Sequence, residues 1–192
     1  MFKDFKIIDI SKELTTTQPY PGDRAAIITR IHDMAVHDDC NLSELTMNLH
    51  NATHIDAPLH YIENGLSIEQ IAVDKCIGAA IVVNADRLIT PAFKEHLTNK
   101  KVQRVLVKGD LQLTPEVVQL LVAHPILLIG TENNTIGNPD IHKQLLSQEI
   151  VVLENITLEH VSEGDYFLFA APIKIANAEG APCRALLQSF RD

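Results

Sequence analysis

Short apolar runs rich in valine and isoleucine recur along the whole chain, and turn-forming residues separate them. Runs of this kind, bounded by Gly, Pro, Asn or Asp, are typical of β-strands. The pattern therefore predicts eight strands, at residues 6–10, 25–31, 42–50, 78–85, 103–108, 125–130, 150–154 and 166–175.

Helix signals lie between the later strands. A threonine or asparagine is followed by proline at positions 90–91, 114–115 and 138–139, which is the pattern of an N-cap residue before a proline in the first helical turn. Strands early in the chain and strand–helix–strand units later indicate an α/β domain that is layered or barrel-like. Neither an internal repeat nor a Gly/Ser linker divides the sequence, so one domain is predicted over residues 1–192.

Three histidines and an aspartate lie within eleven residues, at His50, His54, Asp56 and His60. On a helix, His50 and His54 would be neighbours, but Asp56 would point away from them. An extended strand fits better, because alternate side chains then share one face. The even-numbered residues here are polar and the odd-numbered ones, such as Leu45, are mostly apolar. This alternation predicts one continuous strand with His50, His54 and Asp56 on one face and the apolar residues in the core.

Two imidazoles and one carboxylate on a single face suit Zn²⁺ or Mn²⁺. Three protein ligands leave a position open for water, as in catalytic rather than structural sites. Pro58 ends the strand and turns the chain, so His60 is expected over the ion without being a ligand in line. Five other histidines have no partner at ligand spacing and are predicted to lie on the surface. They are His32, His37, His96, His124 and His142.

Composition narrows the choice of partners and location. Asp plus Glu number 25 against 16 Lys plus Arg, giving a net charge of −9, whereas nucleic-acid binding needs a clustered basic face. The longest apolar stretch, residues 77–83, is far shorter than the ~20 residues of a membrane span. The three cysteines are odd in number and form no CxxC pair, which favours a reducing compartment. A cytoplasmic protein with a small-molecule substrate, and without nucleic-acid or membrane partners, is expected.

The segment HNATHIDAPLHY, residues 50–61, resembles the HxGTHxDxPxH signature of the cyclase family of metal-dependent hydrolases. That family includes bacterial kynurenine formamidases and isatin hydrolase-like enzymes. Residues 20–23, 150–175 and 180–185 are also similar to stretches of the family. The resemblance implies a swivelling β/β/α barrel-like fold and a homo-oligomer, dimer or tetramer, whose subunits contribute to each other's sites.

The resemblance also implies chemistry. His50, His54 and Asp56 match the family's metal ligands, and His60 matches its general acid/base, which we expect to work near its ordinary pKa of about 6.5. The implied reaction is hydrolysis of a small amide-type bond, in a formamide or a cyclic amide, by an arylformamidase-like enzyme. The alternative is a non-catalytic homologue that keeps the site for binding a metal or a small ligand.

Four further positions carry expectations from the family. His160 matches a ligand of the second metal in kynurenine formamidases, and Tyr20 stands where those enzymes place a tryptophan against the substrate ring. Ala52 replaces the signature's glycine, which is expected to exclude a backbone with positive φ there. Phe167 stands where a glutamate bridges two zinc ions. Because phenylalanine cannot ligate, one ion is favoured and two are the alternative.

Overall fold

The main element of the computed structural model is one curled sheet of nine strands. The structure describes residues 5–100 and 102–190, so the ends of the predicted 1–192 domain, and residue 101, lie outside the described residues. The strands, in chain order, are β1 (Phe5–Asp9), β2 (Ile27–His32), β3 (Leu42–Thr46), β4 (His54–Asp56), β5 (Ile77–Asn84), β6 (Arg104–Lys108), β7 (Leu128–Thr131), β8 (Val151–Glu154), β9 (Gly164–Phe169), β10 (Gly180–Pro182) and β11 (Leu186–Phe190).

The order of strands in the large sheet is β1-β11-β9-β5-β6-β7-β8-β4-β10, while β2 and β3 pair with each other in a separate two-stranded sheet. Strands β5 to β8 run parallel to one another, and the other pairs are antiparallel. Parallel strands need crossover connections, which here contain the helices α1 (Pro91–Lys100), α2 (Pro115–Ala123) and α3 (Pro139–Ser147).

Each helix begins at the predicted proline. The Thr114 side chain accepts a hydrogen bond from the backbone N–H of Val117, and the Asn138 side chain accepts one from Ile141. These bonds satisfy donors that a helix start leaves unpaired, and proline lacks an N–H that would need a partner. The N-terminus of α3 matters most, because this helix packs beside β8.

The sheet separates two apolar cores. One lies between the sheet and the three helices and includes Phe93, Leu121 and Leu146. The other lies inside the curl of the sheet. It includes Ile55, Leu153 and further side chains from the central and the edge strands. This architecture confirms the predicted α/β barrel-like class. Among the described residues, no helix combines the length and the apolar character needed to cross a membrane.

Candidate functional site

Strands β4 and β8 place three polar side chains on one face of the sheet. His54 lies directly opposite Glu154 in the antiparallel register, and Asp56 follows His54 by two residues, so all three side chains point the same way. All are buried, with Asp56 completely inaccessible to solvent. Burial of a histidine and two carboxylates together is costly unless they pair or bind a cation.

His50 reaches this face from a turn rather than from a strand. Strand β3 ends at Thr46, and residues 49–53 form turns and bends before β4 begins. The predicted continuous strand is therefore wrong, and Leu45 is half exposed instead of packing in the core. The Asn48 side chain accepts from the backbone N–H of His50, which holds the turn in place. His50 Nδ1 consequently lies 2.9 Å from Asp56 Oδ1.

Ala52 adopts the left-handed conformation, with φ of 54°. The expectation that alanine excludes positive φ at this position is wrong. The conformation costs about 1–2 kcal/mol for a residue with a Cβ. It turns the Ala52 carbonyl toward the following histidine, where it accepts a hydrogen bond from His54 Nδ1 at 2.8 Å.

Helix α3 adds His142 to the cluster. The prediction that His142 lies on the surface is wrong, because it is 1% exposed. It shares a helical face with Leu145 and Leu146, at the spacing i, i+3, i+4, and both leucines are buried. That spacing was the available signal for its burial.

Two histidine rings are oriented in the same way. Nδ1 of His54 donates to the carbonyl of Ala52, and Nδ1 of His142 donates to that of Asn138 at 3.1 Å. The other nitrogen of each ring faces a carboxylate: His54 Nε2 lies 3.2 Å from Asp56, and His142 Nε2 lies 3.2 Å from Glu154. Histidines that ligate metals usually donate their second N–H to a carbonyl in this manner.

The two buried carboxyl groups have opposite pKa shifts. Burial raises the pKa of Asp56, but the hydrogen bond from His50 and the nearby His54 imidazole outweigh it and hold the pKa well below its usual range. Burial and the charge of Asp56 together raise the pKa of Glu154. Asp56 is thus firmly ionised. Glu154 takes up a proton more easily than usual, and a cation nearby would favour its ionised form. Glu154 is further fixed because its Oε1 accepts from the backbone N–H of Ile136 at 2.6 Å.

His60 lies above the cluster, in a single turn that begins at Pro58. Its ring stacks on His50 with a centroid distance of 4.1 Å and meets Tyr61 edge to face at 4.4 Å. Burial, together with the neighbouring histidines, lowers the pKa of His60 to about 4 against the opposing charge of Asp56. The expectation of a pKa near 6.5 is wrong, and in this environment His60 is neutral at pH 7 and can accept a proton.

A cavity of about 350 Å³ opens onto these side chains. Tyr20 lies on its wall, and its contact with the substrate stays a prediction. Tyr61 also lines the cavity, and its ring packs against that of His142 with a centroid distance of 4.6 Å. The full lining is Tyr20, Asp23, His50, His54, His60, Tyr61, Asn134, Thr135, Gly137, Asn138, Pro139, His142 and Glu154.

Two residues named from the resemblance lie elsewhere. His160 is exposed and does not line the cavity, so its role as a ligand remains a prediction. Phe167 is on β9, four strands from β8 in the sheet order, and its ring packs against Phe169. The carboxylate of this site comes from Glu154, so the identity of residue 167 gives no ground for choosing between one ion and two.

The cluster fits a divalent cation. Among the described residues, two groups have ligand atoms within 4.8 Å of one another: His50, Asp56 and His60, and His54, Asp56 and Glu154. Asp56 belongs to both groups. Three buried atoms here have no hydrogen-bond partner, namely Nε2 of His50, Nε2 of His54 and Oδ2 of Asp56. Imidazole nitrogens and carboxylate oxygens left unpaired in this way are the donors that Zn²⁺ and Mn²⁺ take.

Gly180 has no side chain, and the His50 ring lies close to where its Cβ would be. It pairs with Asp56 in the β4–β10 register, and a Cβ added there would lie 2.7 Å from His50 Cε1. We expect Gly180→Ala to displace the His50 ring and weaken metal binding about 10- to 100-fold, the effect of disturbing a ligand's surroundings. Titration with Zn²⁺ measures this. In a His50→Ala background the same change is expected to have a much smaller effect, from the 3.0 Å approach of the added Cβ to the Ile55 carbonyl oxygen, and an equal loss there would contradict a role through His50.

Comparison with known proteins gives the following matches. The model of the Cyclase family, described as "Putative cyclase", matches residues 8–138. A solved structure described as a potential metal-dependent hydrolase with cyclase activity is 25% identical, with 98% of this chain and 100% of that chain covered and a TM-score of 0.79. A predicted metal-dependent hydrolase from Bacillus stearothermophilus is also 25% identical, with coverage of 96% and 98% and a TM-score of 0.75. Isatin hydrolase A from Labrenzia aggregata, bound to benzyl benzoate, shares the fold at 20% identity, with coverage of 97% and 94% and a TM-score of 0.79.

Proposed function

The chain belongs to the Cyclase family, and from that premise we propose that it is a metal-dependent hydrolase of a small amide-type carbon–nitrogen bond, in a formamide or a cyclic amide. The observation that supports this most directly is the buried set of histidines and carboxylates with unpaired ligand atoms at the base of a cavity. We also propose a cytoplasmic location, because the three cysteines are odd in number and form no CxxC pair.

We assign the metal to the two groups that share Asp56, with His50, His54 and Glu154 as further ligands. His60, the remaining member of these groups, is kept for proton transfer, and His160 stays the predicted ligand of a second ion. Zn²⁺ and Mn²⁺ are the candidate ions. A divalent cation bound here would lower the pKa of a bound water and polarise a carbonyl group. The chain's own contribution is to hold these ligands in fixed orientations, through the Ala52 carbonyl for His54 and the backbone N–H of Ile136 for Glu154. The Asn138 carbonyl orients His142, whose Nε2 lies 3.2 Å from Glu154.

His60 is the residue that we propose for proton transfer. It is neutral at pH 7 because burial lowers its pKa to about 4, and its ring lies beside His50 at the cavity wall. As a neutral imidazole it can take a proton from the attacking water and return it to the leaving nitrogen. The His50 and Tyr61 rings on either side restrict its motion.

The cavity wall favours an uncharged, planar substrate. None of the described residues that line it is a lysine or an arginine, so a carboxylate on the substrate would find no cationic side chain there. Tyr20 and Tyr61 offer ring faces, and Asn134 and Thr135 offer hydrogen bonds. A small aromatic formamide or cyclic amide matches these features, and we propose Tyr20 as a contact of its ring. Isatin, the substrate named for some structural neighbours, is of this kind.

The test is metal content together with hydrolysis. We expect protein purified without chelator to hold at least one Zn or Mn ion per chain, and to hydrolyse some members of a panel of formamides and cyclic amides. Metal removed by chelator and then restored should remove and restore turnover. His124→Ala serves as the matched control, since this histidine is outside the cavity lining and both groups, and is expected to keep full metal content and turnover.

The other outcomes are informative. Metal bound at full occupancy without turnover on any substrate would favour the non-catalytic binding homologue. Failure to bind Zn²⁺ or Mn²⁺ under any loading condition would overturn the proposal. The predicted role of His160 as a ligand of a second ion is tested by His160→Ala: loss of metal would support it, and full metal content would contradict it.

A further inference from the structure

The loop that follows β7 is joined to the end of β8 by three hydrogen bonds. The backbone N–H of Asn155 donates to the Asn133 carbonyl at 3.1 Å, and Asn155 Nδ2 donates to Asn134 Oδ1 at 2.7 Å. The backbone N–H of Ile136 donates to the carboxylate of Glu154. Glu154 belongs to a candidate ligand group, and Asn134 lines the same cavity. These bonds therefore fix the Asn134 side chain in the wall that also carries the candidate ligands.

Hydrogen bonds decide which end of each asparagine amide points where. Lys12 Nζ lies 3.3 Å from Asn155 Oδ1 and also donates to the Glu132 carbonyl at 2.7 Å. An ammonium group can donate but cannot accept, so the end of Asn155 that faces Lys12 must be the oxygen. Asn155 Nδ2 then faces Asn134, and because this nitrogen only donates, Asn134 must present Oδ1 to it.

The opposite end of the Asn134 amide is Nδ2, which carries two N–H donors. Asn134 is half-buried, and its Nδ2 donates to no other residue that the structure describes. The neighbouring Thr135 differs, because its hydroxyl already donates to the Gly137 carbonyl at 3.1 Å. The hydrogen-bond network thus leaves the donor end of Asn134, rather than its oxygen, for a molecule in the cavity.

We propose that Asn134 Nδ2 donates a hydrogen bond to the carbonyl oxygen of the amide that is hydrolysed, and that Asn155 and Lys12 are positioning residues that hold it in this orientation. This inference rests on the proposed function, because it takes an amide-type substrate as given. An amide group has one strong acceptor, its carbonyl oxygen, since resonance delocalises the lone pair of the nitrogen.

The bond gains strength during the reaction. When the water oxygen bonds to the carbonyl carbon, the π electron pair of the carbonyl moves onto its oxygen. The return of that pair breaks the carbon–nitrogen bond, and the proton taken from the water passes to the leaving nitrogen. A donor that is oriented in advance stabilises the negative oxygen without having to reorganise. Asn134 is therefore expected to act mainly on kcat, because the interaction is stronger in the transition state than with the bound substrate.

Asn134→Asp tests the donor. This variant keeps an oxygen that accepts from Asn155 and replaces the two N–H donors by a second oxygen. On the most active substrate of the amide panel, kcat/KM is expected to fall about 10²–10³-fold, the cost of losing one oxyanion donor. Asn64→Asp is the matched control, since Asn64 is exposed and outside the cavity lining, and it is expected to keep the wild-type rate.

Asn155→Asp tests the orientation. Aspartate tolerates the positive φ of 57° at this position, and it can still accept from Lys12. It would accept from Asn134 instead of donating to it, so the Asn134 amide would reverse and turn its oxygen to the cavity. A loss of kcat similar to that of Asn134→Asp is expected, with metal content retained. In an Asn134→Ala background the same change is expected to add little, because no amide is left to reverse.

Nuclear magnetic resonance of the side-chain amides separates this inference from the proposed function. The Nδ2 protons of Asn134 are assigned by their absence from Asn134→Asp. On wild type as purified, addition of oxindole, a stable cyclic aromatic amide, is expected to move one of them downfield while the Asn155 signals stay in place. Such a shift would support the donor even if wild type hydrolysed no member of the panel, which would count against the proposed function alone. An unchanged Asn134 signal would overturn the inference, and so would Asn134→Asp with the wild-type rate.

Discussion

Asp56→Asn is expected to lower metal affinity at least about a hundredfold and to abolish turnover. Asp56 is the residue common to both candidate ligand groups, and it is completely buried. Its Oδ1 lies 2.9 Å from His50 Nδ1 and 3.2 Å from His54 Nε2, so the carboxylate also orients both rings. Changes in a ligand's surroundings alone cost 10–100-fold in affinity, and here the ligand itself is replaced by a neutral amide of the same size.

The measurement for this variant is metal content by elemental analysis, followed by titration with Zn²⁺ and Mn²⁺. Asp86→Asn is the matched control, since Asp86 is exposed and belongs to neither group, and it is expected to behave as wild type. A thermal melt without metal checks that Asp56→Asn folds. A variant that folds and keeps full occupancy would contradict the assignment of Asp56 as the shared ligand.

The fold could be predicted because its signals are local. The threonine or asparagine before proline at positions 90–91, 114–115 and 138–139 marks helix starts that depend on backbone hydrogen bonds within a few residues. The apolar runs of β5 to β8 match strands that are buried on both faces, as parallel strands are. Strand β10 is only three residues long, Gly180–Pro182, and it forms because β4 offers it an edge. That pairing is long-range and has no local pattern.

The candidate site was predicted only in the part that is contiguous in sequence. His54 and Asp56 lie on one face, as the alternation indicated, but His50 arrives through a turn that Ala52 completes with positive φ. Alternation cannot show such a turn, because it depends on side-chain hydrogen bonds to the backbone. His142 and Glu154 come from other elements, and the register of β8 on β4 brings Glu154 opposite His54. Such a pairing cannot be derived from the spacing within a single strand.

His60→Ala is expected to keep the metal and lose turnover by about 10²–10⁴-fold, the usual contribution of a positioned proton carrier. Substrate KM is expected to change little, because the loss falls on proton transfer and the remaining cavity wall is intact. Added imidazole is expected to restore part of the rate, since removing the ring leaves a space beside His50 and Tyr61 where a free base can enter.

His124→Ala, which changes a histidine outside the cavity lining and both ligand groups, controls for loss of a histidine as such. His60 belongs to a candidate ligand group, so metal content must be measured beside the rate. Equal loss of metal and turnover, without rescue by imidazole, would show that His60 acts as a ligand and that the proton is carried by another group.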